Sequence, residues 1–151
     1  MIEPASDYII PLGKGNMVLQ AEQEKMDSGE TCCVITYGMG VYWTIAAAKK
    51  HSGKVAIVDL RTLFPLDETL IFDTVKKHGK CLIVTEEQQN NSFAEALAGR
   101  ISKACFTYLD APVEVIGALN LPAVPMNIIL EKEMLPNAEK VAARIEQLLN
   151  N

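Results

Sequence analysis

A chain of 151 residues and 16.6 kDa, 49% hydrophobic and 22% charged, has the size and composition of one folded domain that buries roughly 70% of its unfolded surface, which excludes a disordered segment. Its net charge of −5 and pI near 5.0 argue against nucleic acid or an anionic membrane as partner, since each requires a clustered basic face, and favour a basic protein partner instead. No apolar run approaches the ~20 residues of a membrane span, and MIEPASDY has neither the positive flank nor the apolar core of a signal peptide, so a cytoplasmic protein is expected.

Four short runs are β-branched and apolar on both faces, as strands of a parallel sheet covered on two sides are. In chain order they are CCVITY (32–37), KVAIVDL (54–60), KCLIVTEE (80–87) and PVEVIG (112–117). Helical segments separate them over 41–51, 68–78 and 92–108, and a last helix covers 138–149. This alternation predicts an open, doubly wound α/β/α domain of three layers. Asp67 and Asn137 are placed as helix N-caps, with Leu66 opposite Ile71 and Leu135 opposite Val141 as hydrophobic staples. In the last helix Val141, Ala142, Ile145, Leu148 and Leu149 form one apolar stripe, which is a packing face.

The two histidines, His51 and His78, each end a KKH unit followed by a glycine, Gly53 or Gly79, and then a strand. Basic residues in a last helical turn complement the negative end of the dipole, and the glycine supplies a left-handed cap. Both histidines then lie where strands start, whereas ligands of open α/β sheets gather where strands finish. They read as structural. Cys32, Cys33, Cys81 and Cys105 form no CxxC pair and read as buried free thiols of a reducing compartment, with no metal site.

Candidates for chemistry therefore follow the strands. GMGVYW places Gly38 and Gly40 between a strand and a helix, and Asp59 ends the next strand, a partial dinucleotide fingerprint. Its third glycine position is Trp43, whose bulk opposes the close packing the motif needs. A tight turn is the competing reading. Arg61 in DLRTLFPLD is placed to bind an anion or to pair with Glu86 or Glu87, and a structural ion pair is favoured over acid and base work by those adjacent carboxylates.

DYIIPLGK, VITYGMGV, DLRTLFPLD, LIVTEE followed by SFAEALA, LDAPVEVIG and LEKEMLPN resemble, in order and spacing, the C-terminal domain of transketolase-like enzymes, and above all that of the beta subunit or beta half of thiamine diphosphate-dependent 2-oxoacid dehydrogenases. The match runs from about Asp7 to the end, with DLRTLFPLD its most specific piece. The resemblance implies a five-stranded, mixed but mostly parallel sheet, with an antiparallel edge strand over 15–21 within an N-terminal linker (1–30) ahead of the main domain (31–151). Three loops depart from the family pattern: AEQEKMDSGE is longer and acidic, QQNNSF replaces a glycine-rich turn, and VEVIGALNLPAVP lacks the usual arginine and aspartate.

The resemblance further implies an assembly and docking domain, a fragment of a longer enzyme that performs oxidative decarboxylation with thiamine diphosphate and magnesium. The domain itself is expected to hold neither cofactor nor metal and to be inactive alone. Its expected partners are the remaining domains or subunits, in a homo-oligomer or hetero-oligomer, and the acyltransferase core. A free-standing nucleotide-binding module using Gly38, Gly40 and Asp59, and a transketolase or deoxysugar-phosphate synthase fragment, are the alternatives. LNLPAVPMNIILE is unusually apolar for a connection. With Glu86, Glu87, Phe93, Glu95, Ile128, Ile129, Glu131 and Glu133 around it, this segment reads as an interface with a dry centre and a charged rim, or else as a segment folded back on its own domain.

Overall fold

The computed structural model describes residues 9–151; MIEPASDY, and with it the start of DYIIPLGK, lies outside the described residues. Five strands, β1 (Asn16–Leu19), β2 (Cys32–Thr36), β3 (Val55–Asp59), β4 (Cys81–Gln88) and β5 (Glu114–Ala118), form one sheet in the order β1-β3-β2-β4-β5. The four inner and far strands run parallel, and β1 joins β3 antiparallel at one edge. The helices are α1 (Gln23–Asp27), α2 (Met39–Ala48), α3 (Glu68–His78), α4 (Phe93–Cys105), α5 (Ile128–Met134) and α6 (Ala138–Leu149), with a 3-10 turn at Phe106–Tyr108 after α4.

Side chains alternate across a strand, so successive residues of the apolar runs feed two cores. Cys32, Val34, Val55, Ile57, Leu82 and Val84 pack under α2 and α6, together with Val141, Ile145 and Leu148. On the other face Cys33, Ile35, Ala56, Val58 and Ile83 pack under α3 and α4, together with Ile71, Val75, Leu97 and Ile101. Three layers result, with the sheet between them.

Most boundaries follow the local chemistry. α3 begins at Asp67, whose carboxylate accepts from the Leu70 N–H, and ends at Gly79 with a φ of 67°. α6 begins at Asn137, whose side chain accepts from the N–H groups of Glu139 and Lys140. Leu66 and Ile71 share one core, as the staple requires.

The two KKH units part company. Lys76, Lys77 and His78 close α3 as expected, but α2 ends at Ala48, so Lys49, Lys50 and His51 form a turn beyond it. Gly53 still has a left-handed φ of 73°, for a different reason: the Glu22 N–H donates to its carbonyl, and a Cβ there would lie 2.3 Å from the Glu22 carboxyl carbon. Two helices were not anticipated. α1 lies in AEQEKMDSGE, and α5 lies inside the apolar connection after β5.

Candidate functional site

In a sheet of this order the chain leaves β2 toward β3 and returns to β4, so the switch point lies between the ends of β2 and β4. That crevice is where open α/β sheets take ligands. Here it is filled by the protein's own polar groups. Glu86 accepts the Met39 N–H at 3.1 Å, at the first turn of α2, and Glu87 accepts the Phe93 N–H at 2.9 Å, at the first turn of α4. Because successive strand residues point to opposite faces, two adjacent carboxylates reach helices in opposite layers. Each neutralises the positive end of a helix dipole. Ser92 adds a side-chain cap to α4 by accepting the Glu95 N–H.

Between them, Tyr37 and Thr85 share a hydrogen bond of 2.8 Å, and the Tyr37 ring meets Phe93 edge-on at 5.9 Å. Burial raises the Tyr37 phenol above its ordinary value, and the nearby Glu87 and Glu86 charges add to the rise against the Thr85 hydrogen bond.

The glycines of GMGVYW serve this closure. Gly38 has a φ of 58°, and a Cβ on it would lie 2.9 Å from the Glu86 carboxylate oxygen. Gly40 is buried, and its Cβ would lie 2.2 Å from Thr36 Oγ1 and 3.1 Å from the Val84 carbonyl oxygen. The spacing that suggested a phosphate cradle thus allows α2 to close on β2 and β4, and Glu86 occupies the helix terminus where a phosphate would sit. Asp59 is equally local: its carboxylate accepts the Arg61 N–H at 3.0 Å, where Arg61 adopts a φ of 56°.

The expected ion pair of Arg61 with Glu86 or Glu87 does not form: β2 stands between β3, which Arg61 follows, and β4, which carries the glutamates, and each glutamate accepts a helix N–H instead. The DLRTLFPLD loop is instead tied to the N-terminal segment, Gly13 N–H donating to Thr62 Oγ1 and Gly15 N–H to Asp67. It leaves the Phe64 ring 94% exposed.

Beyond β5 the pattern reverses. Leu119, Leu121, Val124, Met126, Ile128, Ile129 and Leu130 are all exposed, Ile128 at 64% and Ile129 at 68%. The backbone beneath them is held: the Gln88 side chain donates to the Leu121 carbonyl, the Leu119 N–H donates to the Met134 carbonyl, and Asn127 caps α5. Lys140 closes the far end, its ammonium donating to the carbonyls of Lys132, Glu133 and Leu135. Glu131 is half-buried, while Glu133 and Glu95 are exposed.

The remaining candidates make packing contacts and local hydrogen bonds. His78 is buried against Thr31, with 2.8 Å between the Thr31 hydroxyl and Nδ1, and burial, aided by Lys77, lowers its pKa to about 4. His51 Nε2 meets the Ala142 carbonyl at 3.1 Å and ties the turn after α2 to α6. All four cysteines are buried free thiols, and burial pushes Cys32 up to about 12. Among the described residues no three His, Cys, Asp or Glu side chains are grouped to hold a metal ion, and no helix is long and apolar enough to cross a membrane.

The profile of the family described as "Transketolase, C-terminal domain" matches residues 21–141. The 2-oxoisovalerate dehydrogenase subunit beta of Bacillus subtilis is 35% identical over 148 residues, covering 96% of this chain and 43% of that protein. The pyruvate dehydrogenase E1 component subunit beta of Rhizobium meliloti is 30% identical over 143 residues, or 93% of this chain and 29% of that protein. The chain therefore spans less than half the length of these relatives. A split gene transketolase, described as an inactive beta4 tetramer, superimposes with a TM-score of 0.73 at 16% identity, over 95% of this chain and 45% of that one, and shares the fold.

Proposed function

We infer that this chain, which belongs to the transketolase C-terminal domain family, serves as the assembly and docking domain of a 2-oxoacid dehydrogenase of the pyruvate or branched-chain type. One contrast carries this reading: the crevice between β2 and β4 is closed by Glu86, Glu87, Tyr37 and Thr85, while the segment after β5 holds its apolar side chains in water on a braced backbone. The first arrangement engages Glu86 and Glu87 as helix caps and pairs Tyr37 with Thr85. The second supplies a dry centre for a protein partner, rimmed by Glu131, Glu133 and Glu95.

The parent enzyme would carry out thiamine diphosphate-dependent oxidative decarboxylation, with the cofactor and magnesium held by its other domains and neither bound here. The partner surface is the remainder of that dehydrogenase, and a basic subunit-binding domain of the acyltransferase core is a further candidate, with the net charge of −5 favouring its approach. Residues 1–30 act in this reading as a linker that contributes the edge strand β1, and 31–151 as the docking unit. A reducing, cytoplasmic setting suits four free thiols. The nucleotide-binding alternative is disfavoured, because Gly38 and Gly40 serve backbone closure and a carboxylate caps α2. The relatives, beta subunits of dehydrogenases, also disfavour the transketolase and deoxysugar-phosphate synthase alternatives.

Sedimentation velocity of the chain mixed with the remaining dehydrogenase polypeptides tests this reading, and a co-sedimenting complex is expected. Calorimetric titration of the chain with thiamine diphosphate and magnesium should give no binding heat; micromolar binding would overturn it.

A further inference from the structure

A groove of about 780 Å³ runs along α3 on the face where that helix meets the edge strand β1 and helix α1, from the N-cap Asp67 to the last residue, His78. This is the volume range of small-molecule sites, and its length is that of the 11-residue helix, about 16 Å. Neither the crevice between β2 and β4 nor the segment after β5 contributes to its lining. It exists because β1 lies at the sheet edge and no helix of the α3 and α4 layer covers it.

The lining mixes apolar side chains with polar ones, among them Gln20, Gln23, Thr69 and Thr74. Met17 and Met26, flexible and polarisable, form walls that adapt to a flat ring, and Leu70 and the buried Ala56 complete an apolar bed. Lys14 and Lys77 are balanced by Asp67 and Asp73, so the groove has no net charge to select an ion. Asp67 is also spent, accepting from the N–H groups of Gly15 and Leu70. His78 is 6% exposed, its Nδ1 is satisfied by Thr31, and Nε2 has no hydrogen-bond partner among the described residues. A neutral imidazole offers one donor or one acceptor at that atom, set by the tautomer that Thr31 selects.

We propose that this groove binds a neutral heteroaromatic ring, laid flat on Met17, Met26 and Leu70, with one edge hydrogen-bonded to His78 Nε2. The proposal is independent of the docking reading, since it concerns a different face and needs no partner polypeptide.

Imidazole nitrogen-15 NMR of the full chain tests it cleanly, because the chain has two histidines and His51 lies outside the groove as an internal control. Adenine, nicotinamide and indole are titrated separately, with inorganic phosphate as the charged counterpart. At least one of the three rings should shift the His78 resonances with a Kd of about 1 mM or tighter, as expected of fragment-sized ligands, and leave His51 in place. Ala21→Phe, which fills the half-exposed rim of the groove, should abolish that shift without altering the His51 signal. No shift from any ring, a shift from phosphate alone, or a shift that survives Ala21→Phe would overturn the proposal.

Discussion

The end of β4 and the loop after β5 stand at the same end of the same sheet and are built in opposite ways. At the end of β4, polar side chains are engaged internally: Glu86 and Glu87 cap helices in opposite layers, and the Tyr37 hydroxyl meets Thr85. After β5, the backbone is satisfied by Gln88, Asn127 and Lys140 while the apolar side chains face outward. The contrast teaches that position at the C-terminal end of a parallel sheet does not make a site. What the loop does with its hydrogen-bonding and apolar groups decides between chemistry and docking.

The largest expected effect separates the two loops. Replacing Ile128 and Ile129 by serine removes apolar area that is already exposed in the free domain, so its melting temperature should hold. Assembly with the dehydrogenase should weaken by about 3 kcal/mol, on the order of 100-fold, if both side chains are buried by the partner. Sedimentation equilibrium beside circular dichroism melting reads both, and a melting temperature that falls with unchanged assembly would reverse the assignment.

Gly40→Ala probes the other region, where α2 packs on the ends of β2 and β4. Its Cβ would collide with Thr36 Oγ1 and crowd the Val84 carbonyl, so a loss of about 3 kcal/mol in urea unfolding is expected. An alanine tolerated without cost would mean that α2 does not sit as closely as the closed crevice requires.

Smaller effects sharpen the comparison. Asp67→Ala removes the acceptor for two N–H groups, one in its own helix and one in Gly15, and should cost about 1–2 kcal/mol with assembly unchanged. Glu86→Ala should cost about 1 kcal/mol through α2 alone, read as a lower urea midpoint. If Glu86 were instead a docking contact, assembly would suffer and stability would not.

A pH-dependent effect lies far from either loop. His78 has a folded-state pKa of about 4, below its ordinary 6.5, because burial and Lys77 disfavour its charged form. Its contribution is present in full above pH 6.5 and is lost as pH falls toward 4, because the unfolded chain takes up the proton first. Thermal melts from pH 7 to 4 should therefore fall less steeply in His78→Gln than in the parent chain. Parallel slopes would contradict the buried neutral imidazole.

Much of the fold was legible because its determinants are local. The strands of the parallel core announce themselves as β-branched runs, and α3 and α6 begin at caps that the sequence displays as Asp67 and Asn137. α1 and α5 were not legible: at 5 and 7 residues they are too short for a periodic pattern, and tertiary context holds them. The site was less legible still. Glu86 caps a helix 47 residues earlier in the chain, and only the strand order brings the two together. Strand order also undid the Arg61 pairing, which took β3 and β4 as neighbours although β2 lies between them. The two KKH units make the point again: one text closes α3 and the other lies past the end of α2, because Gly53 answers to Glu22 and not to a helix.

Hydrogen–deuterium exchange of the chain, free and assembled with the remaining dehydrogenase polypeptides, tests the docking account most directly. The account predicts that amides across 119–134 slow on assembly, while the Met39 and Phe93 amides, already bonded to Glu86 and Glu87, keep their free-state rates. Slowing confined to 37–40 and 85–93, with 119–134 unchanged, would contradict it.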